Sequence, residues 1–258
     1  MIRPVGYEHC TYAIFLCGNA GVGKSTLSNA LGANFEAGFA FGEGLTKDVS
    51  FCVININGDL VLAIDAPGMY EASKERTHQN AKEIQKALGV SLPYKIAFVV
   101  ASNGGRWLSQ DVAIIDKVVE SVKASNDSPI EYILIINQIQ KDHLEYYMHD
   151  PTRKMMVDKL IDATQARPKF SAIACCPHVP DPSHNEMLKT KLLDALMMKE
   201  PYKIKVVKDI EADPDDLKVY QKALLILFSP VVAPFLGLYA TFSSIKNKIR
   251  YDDWSPFR

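Results

Sequence analysis

The residues from Gly18 to Thr26, GNAGVGKST, have the types and spacing needed to hold a chain of phosphates. Glycines at 18, 21 and 23 let successive backbone N–H groups turn inward around anionic oxygens. Gly18, Asn19, Ala20, Gly21, Val22, Gly23, Lys24, Ser25 and Thr26 are therefore read as nucleotide-contacting positions. Lys24 supplies an ammonium that reaches the β- and γ-phosphates, and the hydroxyl of Ser25 is suited to ligate Mg2+. The segment follows the apolar run YAIFLC and opens a stretch of helical periodicity, which is the setting the GxxxxGK[ST] pattern requires. A glycine-rich turn that merely joins a strand to a helix is the bland alternative, and it leaves the rest of the pattern unexplained.

Elements must exist to position that loop. Apolar runs at Tyr12 to Cys17, Phe51 to Ile56, Leu60 to Ile64, Ile96 to Val100, Tyr132 to Ile136 and Ala172 to Cys176 predict strands. Between them, Lys24 to Leu31, Lys74 to Leu88, Gln110 to Lys123, Pro151 to Ala166 and Asn185 to Met198 show helical spacing of Leu, Ile, Val and Met. Runs as uniformly apolar as YILII fit central strands covered on both faces. The expected fold class is thus α/β, a three-layer domain with a mainly parallel sheet. Asn57-Gly58-Asp59 is a hairpin signal, so one edge strand should run antiparallel. After Pro201 the pattern changes, which predicts a domain over residues 1–200 and a C-terminal extension over 201–258.

Two further stretches bear on the class of chemistry. The run LAIDAPG carries Asp65 to the end of a strand and turns at Pro67-Gly68, and it resembles the DxxG element of GTPases. Asp65 would hold Mg2+ through water, and the Gly68 amide would meet the γ-phosphate and sense its loss. An ordinary strand-ending turn is the alternative for this run alone. Thr46 follows the glycine-rich segment from Gly32 to Gly44, where a first switch is expected, and its hydroxyl is the second candidate protein ligand of Mg2+.

The ordered set of motifs over residues 10–145 resembles the septin-related GTPases that include the GIMAP proteins and the chloroplast Toc receptors. It comprises the phosphate loop, Phe35, Thr46-Lys47, IDAPG, Glu83-Ile84, the strand IAFVV and the box NGGRWLSQD. The resemblance implies GTP and GDP as ligands, slow GTP hydrolysis and nucleotide-dependent self-association. The chain departs from the usual pattern in two places. Where guanine is ordinarily read by NKxD, this chain has Asn137-Gln138-Ile139-Gln140, and glutamine cannot offer a charged bidentate acceptor. Asn137, Gln138 and Gln140 remain the candidate base-contacting residues because Asn137 directly ends the strand, a register shifted to Lys141-Asp142 is the alternative, and Ser171-Ala172 is a faint hint of a further base loop. Met69 stands where Ras-like enzymes place the glutamine that orients water, so unassisted hydrolysis should be slow. Arg106 is the candidate catalytic arginine, supplied across a dimer to complement Lys24 and Thr46; a surface or dimer-contact role is the alternative. A P-loop phosphotransferase acting on a small substrate, or a nucleotide-binding module without turnover, are the rival functions.

The chain carries 29 Lys and Arg against 30 Asp and Glu, which excludes broad attraction to nucleic acid. Five cysteines without paired spacing read as reduced thiols, and no secretory leader pattern precedes the first strand, so a cytoplasmic location is expected. From 223 to 245 no residue is charged, long enough for a membrane contact on an intracellular membrane, although Pro230 and Pro234 interrupt it. Apolar helices folded on the domain or on a second copy fit that stretch equally well.

Overall fold

The computed structural model of the chain describes residues 6–38, 45–104, 106–124, 129–179 and 186–228. Its main sheet has six strands in the order β2-β3-β1-β4-β6-β7. These are β1 (Tyr12–Cys17), β2 (Ser50–Ile56), β3 (Asp59–Asp65), β4 (Tyr94–Ala101), β6 (Glu131–Ile139) and β7 (Lys169–Pro177). β3, β1, β4, β6 and β7 run parallel, and β2 pairs antiparallel with β3 from Ser50↔Asp65 to Ile56↔Asp59. The hairpin forms because Asn57 and Gly58 both accept the left-handed region, at φ 54 and φ 95. The α/β class and the antiparallel edge strand expected from the sequence are both present.

Every residue of β1 is buried, and alternation sends its side chains to two different cores. Ala13, Phe15 and Cys17 face a cluster covered by α2 (Lys74–Leu88), α3 (Ser109–Ser121), α5 (Asp150–Ala163) and α7 (Asp216–Phe228). Tyr12, Ile14 and Leu16 face the other cluster, covered by α1 (Lys24–Ala30) and α6 (Glu186–Met197). Local signals set the helix ends. Ser73 caps α2 by accepting from the Arg76 amide at 3.1 Å, and Pro151 lies in the first turn of α5.

Several boundaries differ from expectation, and one helix is added. The helix expected through Lys123 stops at Ser121, because Val122 turns extended and β5 (Val122–Ala124) pairs antiparallel with β8 (Ile204–Val207). The strand expected to end at Ile136 runs on to Ile139, past a register irregularity. A short helix, α4 (Leu144–Met148), precedes α5.

The extension that the sequence marks off at residue 201 lies against the domain as far as residue 228. Tyr202 exchanges backbone hydrogen bonds with Tyr94 at 2.7 and 2.9 Å. Tyr220, Ala223 and Leu224 are buried in the same core as α2 and α3. Asp116 of α3 holds this arrangement: its Oδ1 accepts from the Gln165 and Ala166 amides at 2.8 and 2.7 Å, and its Oδ2 from the Tyr220 hydroxyl at 2.9 Å. Burial pushes the Asp116 carboxyl up to about 6, against those three donors. Among the described residues, no helix is long and apolar enough to cross a membrane. Most of the apolar stretch 223–245 lies outside the described residues.

Candidate nucleotide site

The loop from Gly18 to Gly23 leaves the carboxyl end of β1 and is pressed on three sides by its neighbours. A Cβ on Gly18 would lie 2.2 Å from the Val99 carbonyl oxygen of β4, so only glycine lets the chain pass there. Gly23, at φ 92, faces the Asn137 side chain at the end of β6. Gly68, in the turn after β3, backs onto the loop so closely that a Cβ would meet the Ala20 nitrogen at 2.1 Å. The glycine requirement read from phosphate chemistry is therefore also a packing requirement.

Lys24 opens α1 and is only 7 % exposed, with its Nζ donating to the Asn19 carbonyl at 2.9 Å. Burial lowers the Lys24 pKa, while Asp65 and other nearby anions act to raise it. A buried ammonium bonded to one carbonyl has spare donors, and phosphate oxygens are the acceptors that would use them.

Ser25, Thr46 and Asp65 meet although they come from α1, the approach to β2 and the end of β3. The Ser25 hydroxyl donates to Asp65 Oδ2 at 2.7 Å, and the Thr46 hydroxyl donates to the same oxygen at 3.2 Å. Asp65 Oδ1 is buried with no hydrogen-bond partner among the described residues. Burial raises the Asp65 pKa, partly offset by Ser25, Lys24 and Thr46. Two hydroxyls and a carboxylate with an orphaned oxygen are the hard oxygen donors that Mg2+ takes, so the residues present fit the ion. Ala20, Gly21, Gly23, Lys24, Ser25, Thr26, Thr46, Gly68 and Gln138 line a cavity of about 340 Å³ with Glu36, Ala37, Gly38 and Leu45.

The remaining predicted positions fall into two groups. Asn137 and Gln138 brace the loop from beneath: Asn137 Nδ2 donates to the Val22 carbonyl at 2.9 Å and Gln138 Nε2 to the Gly21 carbonyl at 2.8 Å. Gln138 adopts φ 58 to do so, a left-handed conformation that non-glycine residues rarely hold. Gln140 is exposed just past β6, and its carbonyl accepts from the His143 amide at 3.0 Å. Arg106 is also exposed, in a turn closed by its amide on the Asn103 carbonyl at 3.1 Å. Trp107, beside it, is buried and donates its indole N–H to the Met156 carbonyl at 2.9 Å. That aromatic residue belongs to the packing of α5.

The hint at Ser171-Ala172 does not hold. Those residues open β7, and the parallel sheet puts the opening of β7 at the end away from the phosphate loop. The carboxyl end of β7, where the His178 amide bonds to the Ile139 carbonyl at 2.8 Å, lies on the loop's side of the sheet. Met69 is fully buried in the core, so its side chain does not enter the cavity. His78 is an exposed helix residue whose Nδ1 lies 2.9 Å from the Lys74 carbonyl oxygen. Asp111 of α3, the last residue of the box NGGRWLSQD, has no role assigned from the sequence: it is fully buried and lies within hydrogen-bond reach of Asn19.

A family model described as the 50S ribosome-binding GTPase matches residues 13–138. A structure of the chloroplast translocon components atToc33 and psToc159 is similar over 74 % of this chain and 85 % of its own, at 18 % identity and a TM-score of 0.51. The fold is that of a P-loop GTPase domain. Toc33 from Arabidopsis thaliana with GDP and Mg2+ is 19 % identical over 76 % of this chain and 87 % of its own, at a TM-score of 0.47. The translation elongation factor SelB from Methanococcus maripaludis is 16 % identical over 74 % of this chain and 35 % of its own, at a TM-score of 0.44. No curated protein sequence matches the chain. Within the GTPase fold, the loop after β1, the Asp65 turn after β3 and the end of β6 all open on the same side of the sheet, which is where parallel α/β sheets bind ligands.

Proposed function

We propose that the chain binds GTP and GDP with Mg2+, hydrolyses GTP slowly, and changes its self-association with the nucleotide. The observation that carries the reading is the convergence of Ser25 and Thr46 on Asp65 beside the buried Lys24 ammonium, at the mouth of one 340 Å³ cavity. No single motif produces that arrangement. Lys24 and the loop amides bind and orient the phosphates, and Ser25, Thr46 and Asp65 would hold the ion. Mg2+, when bound, neutralises negative charge on the phosphate oxygens. Gly68, pressed on Ala20, is placed to respond when a γ-phosphate occupies the cavity.

Slow turnover follows from Met69, whose burial leaves that position without a group to orient water. Dimerisation is reported as important for the GTPase activity of the chloroplast translocon components that share the fold. In this chain Arg106 is exposed, and its side chain makes no hydrogen bond or ion pair among the described residues, so it is free to act on a partner's phosphates. The buried Met69 also favours a second reading, a nucleotide-binding module without turnover. Membrane contact through 223–245 belongs to the same proposal, tested by comparing membrane partition of the full chain with one ending at residue 228, which keeps α7 in the core.

The deciding experiment is competition of GTP against ATP for the purified chain, with and without Mg2+, followed by single-turnover hydrolysis at rising protein concentration. Magnesium-dependent retention of GTP that Lys24→Ala abolishes is expected, with a rate that rises with protein concentration and falls in Arg106→Ala. Retention of no purine nucleotide, or equal retention by Lys24→Ala, would end the proposal. Binding with no hydrolysis at any concentration leaves the second reading.

A further inference from the structure

Asp111 is a carboxylate in a place where carboxylates are costly. It is the third residue of α3, 0 % exposed, directly behind the phosphate loop. Asn19, 3 % exposed, donates its Nδ2 to Asp111 Oδ1 at 3.4 Å, and the Asn19 carbonyl in turn accepts from Lys24 Nζ. Asn19 Oδ1 and Asp111 Oδ2 are both buried without a hydrogen-bond partner among the described residues. Burial pushes Asp111 up to about 6, while Asn19, the Leu108 backbone and the Lys24 charge favour its ionised form.

A carboxylate in the first turn of a helix is favoured by the helix dipole, but a solvated one gains that benefit without desolvation. Capping α3 therefore does not account for the burial. What the buried position adds is contact with the loop. Asn19 is gripped from behind by Asp111, while its carbonyl carbon lies against Gly68 on the other side. The group that fixes the loop also brings a negative charge toward the Lys24 ammonium, where a polyanion is expected to bind.

Resting on the nucleotide reading of this loop, we propose that Asp111 is a positioning residue of the phosphate grip. It fixes Asn19 so that the loop amides stay turned toward the cavity, and its charge weakens the hold on the phosphate chain enough for bound nucleotide to leave. The two halves of the role separate by substitution. Asp111→Asn keeps an oxygen facing Asn19 and removes the charge. Asn19→Ala keeps the charge and removes the grip.

The test measures release of a fluorescent GDP analogue from the full chain with Mg2+, alongside thermal unfolding without nucleotide. Asp111→Asn should slow release by about threefold or more, because an opposing charge near the phosphates is gone. Asn19→Ala should speed release by a similar factor. A purely structural Asp111 would shift the unfolding midpoint and leave both release rates within experimental scatter of wild type. That result, or faster release from Asp111→Asn, overturns the inference. Asp111→Asn keeps the side-chain shape, so the inference remains testable should Asn19→Ala not fold. If wild type itself retains no guanine nucleotide, the nucleotide reading fails and this inference with it. If wild type binds, Lys24→Ala does not, and the two variants match wild type, only the role of Asp111 is lost.

Discussion

Replacing Gly68 with alanine tests whether the turn after β3 really abuts the phosphate loop. The added methyl would lie 2.1 Å from the Ala20 nitrogen and 2.6 Å from the Asn19 carbonyl carbon. Non-bonded heavy atoms rest near 3.5 Å, so the two segments must part by more than about 1 Å. Both obstacles are backbone, and no rotamer relieves them. Overpacking of this kind costs about 1–3 kcal/mol. If Gly68 moves outward, it also strains the 2.7 Å bond that its carbonyl accepts from Asn80 Nδ2, worth about 1 kcal/mol. At roughly 2–4 °C per kcal/mol for a domain of this size, the unfolding midpoint should drop by about 2–16 °C. The nucleotide effect should be unequal, because only the γ-phosphate would need the Gly68 amide. GTP affinity is expected to fall about tenfold or more, and GDP affinity by less. Thermal unfolding of the nucleotide-free chain and titration with both nucleotides measure this. A midpoint unmoved from wild type, together with a ratio of GTP to GDP affinity unchanged from wild type, would refute the close approach of the two turns.

Asn137→Ala removes the donor to the Val22 carbonyl and should destabilise the loop by about 1–3 kcal/mol, read as faster GDP release with the sheet's circular dichroism unchanged. Gln140→Asp restores a bidentate acceptor, and the preference for GTP over ATP should rise about tenfold in a competition assay if residue 140 reads the base. Asp116→Asn bears on pH. Because the folded carboxyl is raised to about 6 from an unfolded value near 3.9, its contribution is full below the unfolded value and is lost as pH rises through 6. Chemical denaturation of wild type across pH 4 to 7 should therefore show a loss of up to about 3 kcal/mol from this group, and the variant a flatter profile.

The phosphate loop was legible because its chemistry is local: nine consecutive residues carry the glycines, the ammonium and the hydroxyls. Thr46 and Asp65 were legible for a related reason, since each lies at a fixed place beside a strand of marked periodicity. The hairpin at Asn57-Gly58 was equally local. What escaped depends on distant partners. Val122 and Lys123 read as the tail of a helix, because nothing nearby tells that β8, some eighty residues on, offers them a strand to pair with. Nothing local in the sequence marks Asp111 or Asp116 for burial, and only the arrival of Asn19, the end of α5 and Tyr220 makes them buried anchors. Ser171-Ala172 fails as a base loop because it lies in the first half of β7, and in a parallel sheet only the carboxyl end of that strand faces the phosphate loop. The loop braces, Asn137 on Val22 and Gln138 on Gly21, depend on carbonyls more than a hundred residues away, and their donor function shows only in three dimensions.

The hold of β3, β4 and β6 on one short loop has a consequence for kinetics. A loop already wedged between the Gly68 turn, the Val99 carbonyl and the Asn137 amide has little freedom left to lose when an anion arrives. Capture should therefore need little ordering of the receptor, and it should proceed at a similar pace for related nucleotides. Discrimination among them would then be written in residence time: the molecule tells one guest from another by how long it stays.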